Sequence, residues 1–155
     1  MYYLEAENPV DQEQLFSENN MDTAIVNRAV FTGDTIFIGG VGKFFEGNAD
    51  EMANNIAWIK SLPGGTHIFC GHDYLESNIK FAKSIEPENV AYDEQLKRLQ
   101  SNAIAGTHQI PSTVDQERKS NIFFRHDILC PKFKVTKTVE CLQLLRDYKD
   151  NGQKL

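Results

Sequence analysis

The hydrophobic rhythm changes partway along this 155-residue chain, and that change limits the folds open to it more than any other feature. Up to about residue 76, short β-branched and apolar runs alternate with one stretch of helical spacing. Beyond that point only the helical period recurs. Alternation followed by helices alone predicts an α/β portion (1–76) joined to an all-helical portion (77–155). The junction falls between Ser77 and Pro87. A helical pattern runs across it, so it reads as a continuous element and not as a flexible linker.

Within the first portion, Tyr2 to Glu5 reads as a short strand, and Asn8 to Asp22 as a polar, acidic loop. Ala24 to Phe31 reads as one or two strands, with a hairpin around Asn27 and Arg28. Gly33 to Gly47 is glycine-rich and carries Phe37, Phe44 and Phe45, which reads as an ordered loop. Asn48 followed by Glu51 is a capping-box signature. It opens a helix whose Ala49, Met52, Ala53 and Ile56 share one face, and Pro63-Gly64-Gly65 ends that helix. Thr66 to Cys70 is the next strand, and Gly71-His72-Asp73 turns into a helix that Pro87 stops. Further helices are predicted from Val90 to Ala105, with Tyr92, Leu96, Leu99 and Ala103 in register and Gly106 as the stop. A short helical piece follows Pro111, and a last helix runs from Val135 to Asp150 with Val139, Leu142 and Leu145 inward.

Charge and cysteine usage narrow the function. The net charge is −6 with no basic stripe, which argues against nucleic acid as a partner. Three cysteines (Cys70, Cys130 and Cys141) occur without a CxxC, so neither a disulfide framework nor a cysteine zinc knuckle is expected. No apolar run approaches the ~20 residues that span a bilayer. Met1 to Gln14 has no basic n-region, so the expected location is the cytoplasm.

Two polar clusters follow apolar strands, the first ending in Gly33-Asp34-Thr35 and the second in Gly71-His72-Asp73-Tyr74. Ligands of α/β sheets gather beyond the carboxyl ends of strands. A carboxylate (Asp34) and an imidazole (His72) placed there are suitable ligands for zinc or iron. Each also has a plainer use. An aspartate after a strand caps turns, and a turn histidine is often only hydrogen-bonded. Two ligands are fewer than the three that a catalytic zinc commonly takes from protein. A third feature is cationic. Arg146 and Lys149 are three residues apart on a predicted helix and share a face, where like charges repel. An anionic ligand would relieve that repulsion, and so would Asp150, four residues after Arg146, in an ordinary solvated pair. Lys43, among glycines, can also reach an anion, although no phosphate-loop motif surrounds it.

Several motifs in fixed order resemble the glyoxalase II (hydroxyacylglutathione hydrolase) family. They are Val30-Phe31-Thr32-Gly33-Asp34-Thr35, Gly42-Lys43-Phe44-Phe45-Glu46-Gly47, and Cys70-Gly71-His72-Asp73-Tyr74 with Asn78 and Lys80-Phe81-Ala82 after it. Ile110-Pro111-Ser112-Thr113, Glu117, Asn121, Phe123 and Arg125 continue the likeness. The resemblance implies the C-terminal portion of a metallo-β-lactamase αββα sandwich, followed by an all-helical, glutathione-binding domain. It implies hydrolysis of S-(2-hydroxyacyl)glutathione thioesters such as S-D-lactoylglutathione at a dinuclear zinc or iron site. By motif match Asp34 is the bridging ligand and His72 the last ligand. Lys43, Tyr74, Arg146 and Lys149 fall on glutathione-binding positions. Phe45 stands where the family often has a glutathione-contacting tyrosine, and Ile122 where proline is usual.

The family's HxHxDH segment is absent from the sequence. The chain is therefore expected to be the C-terminal part of such an enzyme, inactive alone and monomeric if complete, with a mitochondrial location also open to a longer form. The alternatives are a non-catalytic glutathione-binding or regulatory protein, and a chain completed by a second polypeptide.

Overall fold

A computed structural model describes residues 1–6 and 27–152. The expected loop from Asn8 to Asp22 and the expected strand residues before Asn27 lie outside the described residues. The fold is mixed α/β. Its strands are β1 (Tyr2–Glu5), β2 (Arg28–Gly33), β3 (Ile36–Phe37), β4 (Gly40–Val41), β5 (His67–Cys70) and β6 (Ser112–Thr113). Its helices are α1 (Ala49–Ser61), α2 (Leu75–Ile85), α3 (Ala91–Ala105), α4 (Val114–Ser120), α5 (His126–Lys132) and α6 (Thr138–Asn151).

Four strands form one sheet in the order β1-β2-β5-β6, and β3 pairs with β4 in a separate small hairpin. β2 and β5 run parallel at the centre, with β1 and β6 antiparallel outside them. Along β2 the side chains alternate as period two requires: Val30 and Thr32 are buried while Phe31 is exposed. The buried face carries Val30 and Ile68 into a cluster with Ile56 and Ile59 of α1, Leu75 and Ile79 of α2, and Leu142 and Leu145 of α6. On the other face the Phe31 and Phe69 rings stack at 5.1 Å, and Tyr2 and Leu4 lie exposed beside them.

The helices begin and end where local chemistry dictates. Asn48 Oδ1 accepts from Glu51 N while the Glu51 carboxylate accepts from Asn48 N, which satisfies two amides at the start of α1. Gly106 closes α3 in the left-handed conformation.

Several expectations need correction. Arg28 is not a turn residue. It lies inside β2 opposite Glu5, to which its Nε donates at 2.6 Å. The glycine-rich segment is not loop throughout, because it folds the β3–β4 hairpin. Ala103 is exposed, and Gln95 is buried instead on the inner face of α3. The second half is not wholly helical: β6 joins the sheet beside β5, and one hydrophobic cluster crosses the expected junction. The last helix starts at Thr138 and not at Val135, because Lys134 turns at φ 57° and Val135 N donates back to Cys130 O at 3.0 Å, closing α5, a helix absent from the sequence reading.

Candidate functional site

The parallel pair β2/β5 brings two loops together at its carboxyl end. Gly71 N donates to Gly33 O at 2.9 Å, which ties the strand ends. Asp34 and His72 then meet, with His72 Nδ1 2.7 Å from Asp34 Oδ1 and both side chains more than half exposed. A Cβ at position 71 would stand 2.6 Å from Asp34 Oδ1, so this turn needs glycine to admit the carboxylate. The His72 ring stacks on Tyr74 at 5.4 Å, and Tyr74 meets Phe37 edge-on at 4.9 Å.

A cleft of about 780 Å³ opens beside this pair. Asp34, Lys43, Phe45, Tyr74, Arg146 and Lys149 all line it. Six of the seven sequence-predicted site residues therefore share one cleft. His72 is outside the lining and touches it through Asp34 and Tyr74.

Two cations on α6 form one wall. Arg146 is 5% exposed; its Nη1 donates to Val41 O at 3.0 Å and its Nη2 to Asp150 Oδ1 at 2.8 Å. The guanidinium also lies 5.7 Å from the Phe123 ring centre, while Nε has no partner among the described residues. Lys149 Nζ donates to Asn78 Oδ1 and lies 5.8 Å from the Phe81 ring centre. Burial, and then the neighbouring Arg146 charge, push the lysine down to about 8 against the partial support of Asp150. The plain reading of this helix face was right about the Arg146–Asp150 pair, but the face is turned inward. Lys43 is half-exposed and 3.8 Å from Asp150. Phe45 projects into solvent at the rim, 84% exposed.

Residues that hold the cleft in shape went without a structural role in the sequence reading. Asn78 Nδ2 donates to Ile38 O at 2.8 Å, so one amide fastens the β3–β4 hairpin and Lys149 together. Glu117 is fully buried and accepts from Gly39 N at 2.8 Å and from Asn121 Nδ2 at 2.9 Å. Asn121 Nδ2 in turn reaches Gly40 O at 3.0 Å. Polar residues at buried spacing on a helix were the available signal for both.

The donor types of Asp34 and His72 suit zinc or iron. Their number does not complete a site, for no group of three or more His, Cys, Asp or Glu that could hold a metal occurs among the described residues. The three cysteines are free thiols, and burial pushes those of Cys70 and Cys141 up, away from reactive thiolate. No helix among the described residues is long and apolar enough to cross a membrane.

Fold and site together define a mixed α/β protein with a cleft lined by three cations beside a carboxylate–imidazole pair. A family model described as "Hydroxyacylglutathione hydrolase C-terminus" matches residues 73–152, and the chain belongs to that family. Among curated relatives, a protein of Prochlorococcus marinus (strain MIT 9211) named hydroxyacylglutathione hydrolase is 38% identical over 135 residues, covering 87% of this chain and 49% of the relative. A protein of Arabidopsis thaliana named cytoplasmic hydroxyacylglutathione hydrolase is 41% identical over 102 residues, covering 65% of this chain and 40% of the relative. The chain spans about half, or less, of the length of these relatives.

Proposed function

We propose that this chain is the substrate-holding part of a cytoplasmic hydrolase of S-(2-hydroxyacyl)glutathione thioesters, such as S-D-lactoylglutathione. The reading rests on the convergence of Lys43, Tyr74, Arg146 and Lys149, with Asp34, on one cleft. Glutathione carries two carboxylates, and an inward-facing arginine and lysine on one helix turn suit an anionic group. Arg146 is fixed by Val41 and Asp150, so its charge is already oriented before ligand arrives. The Tyr74 ring, held by Phe37 and His72, and the exposed Phe45 ring frame the thioester and its peptide stem. Phe45 lacks the hydroxyl of a tyrosine, which removes one contact worth about 0.5–1.5 kcal/mol.

Asp34 and His72 would hold zinc or iron jointly with ligands that the described residues do not supply. A bound metal of this kind supplies a hydroxide nucleophile near neutral pH. The exposed Tyr2, Leu4 and Phe31 face supports a sandwich in which a second sheet covers it, with the mostly helical second half as the glutathione-binding part.

Titration of the 155-residue chain with S-methylglutathione tests the reading. Saturable binding at roughly 1 mM or tighter is expected, abolished by Arg146→Met or Lys149→Ala. Absence of saturation in the folded wild-type chain would refute it. Thiol release from S-D-lactoylglutathione with zinc added shows separately whether the chain turns over unaided.

A further inference from the structure

The cleft is bipolar. Besides its cations it is lined by Glu46 and Glu51, as well as Asp34. We propose that Glu46 receives the α-ammonium of the bound peptide and makes the cleft selective for a zwitterionic γ-glutamyl thioester over an amine-capped one. The inference rests on the reading of this cleft as a glutathione site.

Charge accounting within the cleft leads there. Asp150 already accepts from Arg146 and lies 3.8 Å from Lys43, so it offsets one of the three cations. Arg146 Nε and the Lys149 protons not given to Asn78 are the donors left for the carboxylates of a glutathione moiety. An independent sign of a missing ligand is Arg146 itself, which lines the cleft at 5% exposure with Nε unpartnered among the described residues. The ligand's third charge is an ammonium, and it needs a carboxylate. Asp34 is taken up by His72 at 2.7 Å. Glu51 is committed to the α1 start, where its Oε2 accepts from Asn48 N at 3.1 Å. Glu46 has no hydrogen bond or ion pair among the described residues, is exposed, and sits between Phe45 and Gly47 on the cleft lining. It is the one lining carboxylate with no protein partner among the described residues.

The placement also separates the charges. Lys149 rests on α2 through Asn78 and Phe81, whereas Glu46 precedes the α1 cap. A ligand holding both would lie across the cleft with Phe45 at its side.

The test is a double-substitution cycle in ligand and protein, read by calorimetry. Wild type and Glu46→Gln are each titrated with S-methylglutathione and with its N-acetyl derivative. An exposed ion pair predicts that acetylation weakens wild-type binding about two- to fivefold. Glu46→Gln should weaken the parent ligand equally, and acetylation should then cost nothing more. An acetylation penalty that persists in Glu46→Gln, or no penalty in wild type, overturns the assignment while the glutathione reading stands. Failure of wild type to bind S-methylglutathione at all overturns both. Because Glu46 is exposed and unpaired, the far-ultraviolet spectrum and melting point of the variant should match wild type, which separates lost contact from lost fold.

Discussion

The lysine on α6 gives a pH dependence whose sign can be worked out in advance. Lys149 titrates near 8 in the ligand-free protein because it is buried beside Arg146. An anionic ligand prefers the ammonium form. Apparent affinity should therefore fall as pH rises through about 8, instead of holding to the usual lysine value of 10.5. If only the charged form bound, the dissociation constant would rise about tenfold by one unit above that value. The neutral amine still binds, more weakly by the worth of one charged hydrogen bond, about 1.5–3 kcal/mol, so the loss levels off between roughly ten- and a hundredfold. At pH 8 binding should take up about half a proton, visible in calorimetry as a dependence of the heat on the buffer's ionisation enthalpy. The ligand's own ammonium titrates nearby, so Lys149→Arg is the control: guanidinium keeps its charge throughout, and the step near pH 8 should vanish.

Stability moves the opposite way, which separates this effect from unfolding. A lysine depressed in the folded state binds fewer protons there than in the unfolded chain between about 8 and its ordinary value of 10.5. Stability therefore rises with pH across that window, by about 3 kcal/mol at most, and less where solvent screens the charge. A wild-type affinity that stays flat to pH 9, or a Lys149→Arg protein with the same fall, would refute the reasoning.

Three further perturbations follow from the geometry. Arg125→Ala strips a bidentate partner from Glu86, which is 3% exposed and also accepts from Tyr92 OH, and should cost about 3–5 kcal/mol in urea denaturation; a loss under about 1 kcal/mol would show the pair to be solvated. Burial raises the Glu86 carboxyl, but the hydrogen bonds from Arg125 and Tyr92 outweigh it and leave it lowered, so this stabilisation holds above the unfolded carboxyl range and is lost as acid titrates the folded form. Gly42→Ala puts a Cβ 2.0 Å from the Asp34 carbonyl oxygen, so either β4 or Asp34 must move; ligand affinity should fall with about 1–3 kcal/mol of stability, and a variant unchanged in both would refute the close approach. Burial raises the Glu117 carboxyl, so the folded state binds the extra proton and stability falls as pH rises above the unfolded value; Glu117→Gln keeps an acceptor and should flatten that slope in melting curves from pH 5 to 8, the same slope in both proteins being the negative result.

What could be read from sequence was what local chemistry decides. The Asn48–Glu51 capping box and the Gly106 stop each depend on residues close in the chain, and each appears where expected. The two-residue strands carried no periodic signal. Ser112-Thr113 becomes β6 only because β5 offers it a ladder, a contact about 45 residues distant. Helix α5 holds Pro131 and only seven residues, too few for a period to show. The same division applies to the site. Strand-end polar residues marked Asp34 and His72, but the partners that shape the cleft join distant segments: Glu117 reaches Gly39, and Asn78 ties Ile38 to Lys149.

Spacing alone could not decide whether Arg146 and Lys149 were a solvated face or a ligand clamp, because both readings place them on one side of one helix. Burial decides it. A solvated pair would lose little by turning outward, where water screens like charges. Here Arg146 is 5% exposed and Lys149 is pushed down to about 8, so folding sustains an electrostatic cost that solvent would remove. Asp150 offsets part of that cost, and Val41 O, Asn78 Oδ1 and the rings of Phe123 and Phe81 fix the direction of both cations. A wall of this kind meets its repulsion during folding, and under the proposed function an anion held between the two cations would recover it.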